Sequence, residues 1–167
     1  MSHKEAAEPR SASWAGLHAA LRGGELPPPR LVGVKMKLVH RACSPGRWSG
    51  EVVFERGATN SLGIIHGGFL ASILDIAMGY ASLTLLEAGE SQRTLEMKIN
   101  FLKGVPAETV LADGEVLRRG RRTNYCEGSV RASDGTLVAR ASATFSIQRS
   151  KASTAAGREE HLASRDS

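Results

Sequence analysis

The stretch from Gly57 to Leu86 is the least polar part of this 167-residue chain, and it limits what the chain can fold into. Its only Asp, Glu, Lys, Arg or His side chains are His66 and Asp75. A membrane-spanning helix is disfavoured, because a carboxylate near the middle of a bilayer costs roughly 2.5 to 3.5 kcal/mol. The length and helix-forming residues of Leu62–Leu86 predict instead a long helix inside the core of a soluble protein.

Alternating apolar and polar residues predict strands on both sides of this helix. The expected strands lie at about 34–38, 48–56, 94–103, 108–119, 122–133 and 136–148. In the third of these, one face is expected to carry Leu95, Met97, Ile99 and Phe101, and the other Glu96, Lys98 and Asn100. A lone helix that is apolar on nearly all sides needs cover. The sequence therefore predicts an α+β fold, in which a curved antiparallel sheet is wrapped around a long central helix.

The chain is expected to hold one domain, at 31–148. Residues 1–30 are expected to form a short helix and a proline-rich lead-in, and 149–167 a disordered tail. Two cysteines, Cys43 and Cys126, cannot form a disulfide framework, and the first residues contain no apolar signal segment. A cytoplasmic location is the corresponding expectation.

The candidate chemistry lies on the predicted helix. Gly67-Gly68 at its start lets another molecule approach the backbone closely. The first-turn N–H groups there lack helical partners, so they could bind a carbonyl oxygen that gains negative charge. Asp75 is a carboxylate among apolar residues, and such a group is usually partnered or functional. The alternatives are that the glycines only open the helix, that Asp75 bonds a neighbouring strand, and that His66 is only a hydrogen-bonding element of a loop.

Helix geometry suggests an assembly. Eight residues separate Gly67 from Asp75, which is about 12 Å along a helix and too far to act on one small group. If both act on the same carbonyl, a second chain must supply one of them. The spacing therefore suggests a symmetric dimer with two equivalent sites across its interface.

These residues carry a family resemblance. The positions Asn60, Gly63, His66-Gly67-Gly68 and Asp75, followed by 94–101, resemble the hotdog-fold thioesterases of the phenylacetic-acid-degradation type over about 30–148. The resemblance implies a hydrolase that converts an acyl-CoA, aromatic or fatty, to the free acid and CoA. It also implies a homodimer or a dimer-of-dimers tetramer with sites at the dimer interface.

The resemblance assigns roles to individual residues. It implies that the Gly67 backbone N–H polarises the thioester carbonyl and that Asp75 of the partner subunit is the general base or the nucleophile, two roles that sequence does not separate. Asn60 and His66 fall on positions that line the thioester site, and Thr94 on one that helps hold the water. Gly68 and Phe101 are expected to contact the substrate.

An arginine cluster is the candidate CoA-phosphate site. It consists of Arg118, Arg119, Gly120, Arg121 and Arg122, and guanidinium groups suit phosphate. The formal charge of the whole chain is +5. Residues 31–148 hold fourteen basic and eleven acidic side chains, so removing these four arginines turns a net +3 into −1. The excess positive charge is thus confined to one cluster, whose size suits the phosphates of a single CoA. A solvated basic hairpin is the alternative.

Other classes fit less well. No phosphate-binding glycine loop of the Walker type and no metal-ligand spacing is present, so we expect no metal and no cofactor besides the CoA of the substrate. Neither nucleic acid nor a membrane is an expected partner. A non-catalytic acyl-CoA-binding hotdog protein and a hotdog dehydratase or hydratase remain alternatives, and Asp75 favours the thioesterase over the first.

Overall fold

The structure, a computed structural model, describes residues 36–54 and 56–149. The expected lead-in at 1–30 and nearly all of the expected tail lie outside these ranges. The described chain forms six strands, a short 3-10 turn at Arg56–Ala58 and one long helix. In chain order these are β1 (Met36–Ser44), β2 (Arg47–Phe54), α1 (Gly67–Leu83), β3 (Glu90–Phe101), β4 (Thr109–Arg119), β5 (Thr123–Ala132) and β6 (Leu137–Arg149).

Helix α1 is the centre of the core. It begins later than predicted, because residues 60–65 form a tight loop in which Gly63 has a φ of +75°, a conformation that favours glycine. It ends at Leu83, where the Thr84 hydroxyl bonds the Ala81 carbonyl and accepts a hydrogen bond from the Gly46 N–H. The buried apolar residues of the helix include Leu70, Ile73, Leu74, Ala77, Met78 and Ala81.

The six strands form one antiparallel sheet in the order β1-β2-β4-β5-β6-β3. α1 packs against five of these strands, namely β2, β3, β4, β5 and β6. Five strands span about 19 Å, whereas a helix with its side chains is about 10–12 Å wide, so the sheet must curl around the helix. The sheet approaches the helix closely at Gly114, where a Cβ would lie 2.3 Å from the Ala77 carbonyl oxygen. The expected α+β architecture is confirmed.

Strand β3 is an edge strand with a bulge. Thr94 pairs with Phe145 and Glu96 with Thr144, so Leu95 has no cross-strand partner. Thr94 faces the helix because it pairs with Phe145, which is buried in the core, and the bulge reverses the alternation only after Thr94. The prediction that Leu95 shares the face of Met97 was therefore wrong, and Leu95 is 61% exposed.

Within the described ranges, no helix is both long enough and apolar enough to span a membrane.

Candidate active site

The start of α1 is capped by His66. Its Nδ1 accepts a hydrogen bond from the Gly68 N–H at 3.0 Å, and its backbone is extended, with φ −65° and ψ 133°. Because Nδ1 serves as an acceptor, a neutral His66 carries its proton on Nε2. The exposed imidazole thus presents an N–H donor at the same helix end whose first-turn N–H groups face outward.

Asn60 organises the loop that leads into this cap. Its Oδ1 accepts hydrogen bonds from the backbone N–H groups of Leu62 and Ile64, at 2.9 and 3.3 Å. The loop is then tied down because the His66 N–H bonds the Ala58 carbonyl at 2.9 Å. The structure therefore places Asn60 in the loop that leads into His66 and gives it a loop-forming role.

Phe101 lies against Gly67. A Cβ on Gly67 would sit 3.3 Å from the Phe101 ring, so the absence of a side chain lets the ring cover the first residue of the helix. Phe101 is 55% exposed and forms one wall at the helix start. The structure thus brings together His66, Gly67, Gly68 and Phe101, four of the residues predicted for the site.

Asp75 lies two turns further along α1 and is half-buried. The Thr94 hydroxyl donates a hydrogen bond to its Oδ1 at 2.9 Å. Thr94 continues the helix-facing alternation of Glu90 and Gln92, and the bulge after it turns Glu96 to the outer face. The carboxylate is therefore oriented by β3 and accessible from the open edge of the sheet.

The two halves of the candidate site stay apart within one chain. Residues 67–75 are helical, which puts Gly67 and Asp75 about 12 Å apart along the axis. The expected helical spacing is confirmed. The helix start and the Asp75 carboxylate of one chain therefore cannot contact the same small group.

The arginine cluster lies at the other end of the sheet, where β4 turns into β5. Arg119 is engaged within the chain: its guanidinium binds the buried Glu90 carboxylate at 2.8 Å, and Arg149 binds the same carboxylate at 3.1 Å. Burial raises the pKa of Glu90, but the Glu87 N–H and the two guanidinium groups outweigh burial and hold this pKa below its usual range. Arg118, Arg121 and Arg122 are exposed around Gly120.

Sequence reasoning missed two buried polar residues of β3. Glu90 holds Arg119, and Gln92 bonds the Gly79 carbonyl at 2.7 Å. Both lie on the helix-facing side of β3, in register with β6 residues. A signal existed in the sequence, since Glu90, Gln92 and Thr94 alternate as polar residues would on one face of a strand.

The comparisons with known proteins agree with this geometry. The family model of the thioesterase superfamily matches residues 62–139. A provisionally named esterase of Saccharolobus solfataricus is 36% identical over 106 residues, which cover 64% of this chain and 75% of that protein. A phenylacetic acid degradation-related protein from Ralstonia eutropha JMP134 has a similar structure, with a TM-score of 0.70, 30% identity and coverage of 78% of this chain and 98% of that one.

A thioesterase family protein from Silicibacter pomeroyi also shares the architecture, with a TM-score of 0.69, 26% identity and coverage of 80% and 99% of the two chains. The curved sheet around the one long helix of the described residues is thus the hotdog fold. The chain belongs to the thioesterase superfamily, and within it resembles the phenylacetic-acid-degradation type.

Proposed function

We propose that this protein hydrolyses an acyl-CoA thioester to a free acid and CoA. The observation that carries the proposal is the Asp75 carboxylate, held by Thr94 on an otherwise uncharged helix that begins with two glycines. A protein that only bound acyl-CoA would gain little from a carboxylate beside the acyl group. Membership of the thioesterase superfamily supports the same reaction class.

The proposed site is completed by a second copy of the chain. β3 is an edge of the sheet, and Leu95, Phe101 and the following Leu102 expose 61, 55 and 57% of their surface. An unpaired apolar edge favours pairing with another strand, and a two-fold axis would make that pairing reciprocal. In the proposed dimer, the partner's Gly67 supplies the N–H for the carbonyl next to Asp75.

The proposed hydrolysis follows from this arrangement. Asp75 accepts a proton from a water molecule, whose oxygen attacks the thioester carbon while the carbonyl electrons move onto the oxygen. The backbone N–H of the partner's Gly67 binds that oxyanion. When the oxyanion collapses, the C–S bond breaks, and the CoA sulfur leaves with the electron pair and takes up a proton. Alternatively, the Asp75 carboxylate attacks the carbon itself, the C–S bond breaks as CoA leaves with the electron pair and takes up a proton, and water hydrolyses the resulting anhydride.

CoA is proposed to reach the arginine cluster with its phosphates. Thr94 and Glu90 are four residues apart on β3, or about 13 Å, and Arg119 contacts Glu90. The cluster therefore lies nearer to Asp75 than to the helix start of the same chain. Arg118, Arg121 and Arg122 are the exposed members that we assign to phosphate contacts, and no metal or further cofactor is needed for the proposed reaction.

The first test measures thiol release from short-chain, long-chain and aromatic acyl-CoAs. Asp75→Asn is expected to lower kcat by about a hundredfold or more with little change in KM. The matched control is Asp113→Asn, which changes a carboxylate that bonds Ser129 on the outer face of the sheet. A wild type that binds acyl-CoA without turnover would identify a binding protein instead, and equal rates for Asp75→Asn would remove its assigned role.

The dimeric site is tested by mixing two inactive variants. Gly67 is the first residue of α1, a position that tolerates proline, so Gly67→Pro removes the N–H and keeps the helix. The new Cβ would lie 3.3 Å from the ring of Phe101, which is exposed and can move slightly to admit it. Co-refolded Asp75→Asn and Gly67→Pro chains should regain about a quarter of wild-type activity, since half the dimers then hold one intact site of two. Sites built within single chains would regain nothing.

Isotope labelling separates the two roles of Asp75. In a single turnover in ¹⁸O-labelled water, a general base places the label in the released acid. Label in the Asp75 carboxylate identifies a nucleophile, because water that attacks the Asp75 carbonyl carbon of the anhydride leaves its oxygen on the protein and an unlabelled oxygen passes to the acid.

A further inference from the structure

Gln92 lies two residues before Thr94 on β3, and both ends of its carboxamide bond to α1. Its Nε2 donates to the Gly79 carbonyl oxygen at 2.7 Å, and its Oε1 accepts a hydrogen bond from the Ser82 hydroxyl. Gln92 is 7% exposed and Ser82 is fully buried. Hydrogen bonds away from water are stronger, and the loss of a partner there costs more. The edge strand therefore holds the helix through a buried side chain.

A third residue fixes the orientation of these bonds. Asn124 of β5, also fully buried, donates from Nδ2 to the Ser82 oxygen at 2.8 Å, which directs the Ser82 hydrogen toward Gln92. A flipped Gln92 carboxamide would set its oxygen against the Gly79 carbonyl oxygen. The chain of donors from Asn124 through Ser82 and Gln92 to Gly79 thus has one direction. We call Gln92, Ser82 and Asn124 the Gln92 clamp.

The clamp acts where the helix is otherwise held weakly. α1 packs mainly against β4, β5 and β2, and less against β3. Along β3 the helix is contacted at Gly67 by Phe101, at Asp75 by Thr94 and at Gly79 by Gln92. Of these three contacts, only that of Gln92 is made by a buried side chain. Gly79 lies one turn after Asp75 on the same face of the helix. A bond that fixes the Gly79 carbonyl therefore also fixes the position of the helical turn that carries Asp75.

The geometry points to Gln92 as a positioning residue: by holding the Gly79 carbonyl, it sets the distance between Asp75 and the open edge of β3. The inference rests on the proposed thioesterase function and adds a residue that touches neither thioester nor CoA. A shift of about 1 Å in a catalytic group can lower a rate by about a hundredfold. Loss of the clamp should therefore lower kcat and leave KM unchanged.

The test replaces Gln92 by an apolar residue of the same length. Gln92→Met is expected to lower kcat by about tenfold or more while KM stays within about twofold of wild type. Gln148→Met makes the same change at an exposed position near the end of β6 and should leave both constants unchanged. A Gln92→Met enzyme that melts at a lower temperature but keeps its kcat per folded molecule would show a purely structural role and overturn the inference.

A second variant and a readout independent of activity complete the test. Ser82→Ala removes one bond to Gln92 and is expected to lower kcat in the same direction by a smaller factor, which keeps the idea testable if Gln92→Met does not fold. Amide hydrogen exchange across residues 79–83 should be faster in both variants, and unchanged exchange would contradict the clamp. If wild type releases no thiol from any acyl-CoA, the proposed function fails, whereas exchange still decides whether the clamp holds the helix.

Discussion

The Thr94 hydroxyl donates a hydrogen bond to Oδ1 of Asp75 at 2.9 Å, so the edge strand orients the carboxylate that we assign to catalysis. The bond uses the Thr94 hydrogen and leaves its oxygen free to accept one from a water molecule. Thr94→Val should lower kcat by about tenfold to a hundredfold, since a hydrogen bond to a charged group contributes roughly 1.5–3 kcal/mol. Thr94→Ser keeps the hydroxyl and should stay near wild type. Steady-state thiol release compares the three proteins, and a fully active Thr94→Val would show that the hydroxyl has no catalytic part.

The contact between Thr94 and Asp75 also separates what the sequence can predict from what it cannot. The central helix, the six strands and the glycine pair at the helix start follow from local patterns, because the periods of 3.6 and 2 are visible in the residues themselves. The bulge at Leu95 is not visible in the same way. It depends on the register of β3 against β6, which strict alternation in the sequence conceals.

The arginine cluster could be predicted only in part, for a related reason. Four arginines around Gly120 are evident in the sequence, but Glu90 lies 29 residues before Arg119 and meets it only in the folded sheet. A buried carboxylate needs positive partners, and Glu90 takes Arg119 and Arg149 for this purpose. Composition locates the charge, whereas topology decides which arginines are free.

His66 has a structural contact that can be separated from any contact with substrate. His66→Ala should lower the free energy of unfolding by about 1 kcal/mol, because the Gly68 N–H loses its cap. His66→Asn should restore that stability, since asparagine is among the best capping residues. If the Nε2 proton also binds the thioester, His66→Asn will be stable but slow. Urea unfolding and thiol release on the same samples distinguish the two roles, and full activity of His66→Asn would leave His66 as a cap alone.

Glu90 should make stability depend on pH at the acid end. Because the folded state holds the pKa of Glu90 below its ordinary 4.5, the stabilisation is present above that value and is lost as the pH falls through the folded pKa. Glu90→Gln should be less stable than wild type by about 1.5–3 kcal/mol at pH 7, and the gap should close as the pH falls below about 4.5. Denaturant unfolding from pH 7 to pH 3 measures the gap. Glu87→Gln, at a carboxylate that is 73% exposed, is the matched control, and its free energy of unfolding should differ little from wild type at any pH. A difference between Glu90→Gln and wild type that stays constant with pH would contradict a charged Glu90.

The exposed members of the arginine cluster and Arg119 should respond differently to the same substitution. Arg118→Gln, Arg121→Gln and Arg122→Gln should each raise KM for acyl-CoA by up to about fivefold, as exposed ion pairs contribute about 0.2–1 kcal/mol, and the effect should shrink in high salt. Arg119→Gln should instead lower the free energy of unfolding, because its guanidinium binds buried Glu90.

Arg131→Gln, at an exposed arginine near the Asp134-Gly135 turn, controls for the loss of one positive charge anywhere on the surface. Steady-state kinetics at two salt concentrations, together with urea unfolding, separate the two behaviours. A KM effect confined to Arg119→Gln would contradict this assignment, because a guanidinium bound to Glu90 could then still reach phosphate while three exposed neighbours did not. Equal KM effects for all four variants and for Arg131→Gln would mean that the nucleotide responds only to the overall charge of the protein.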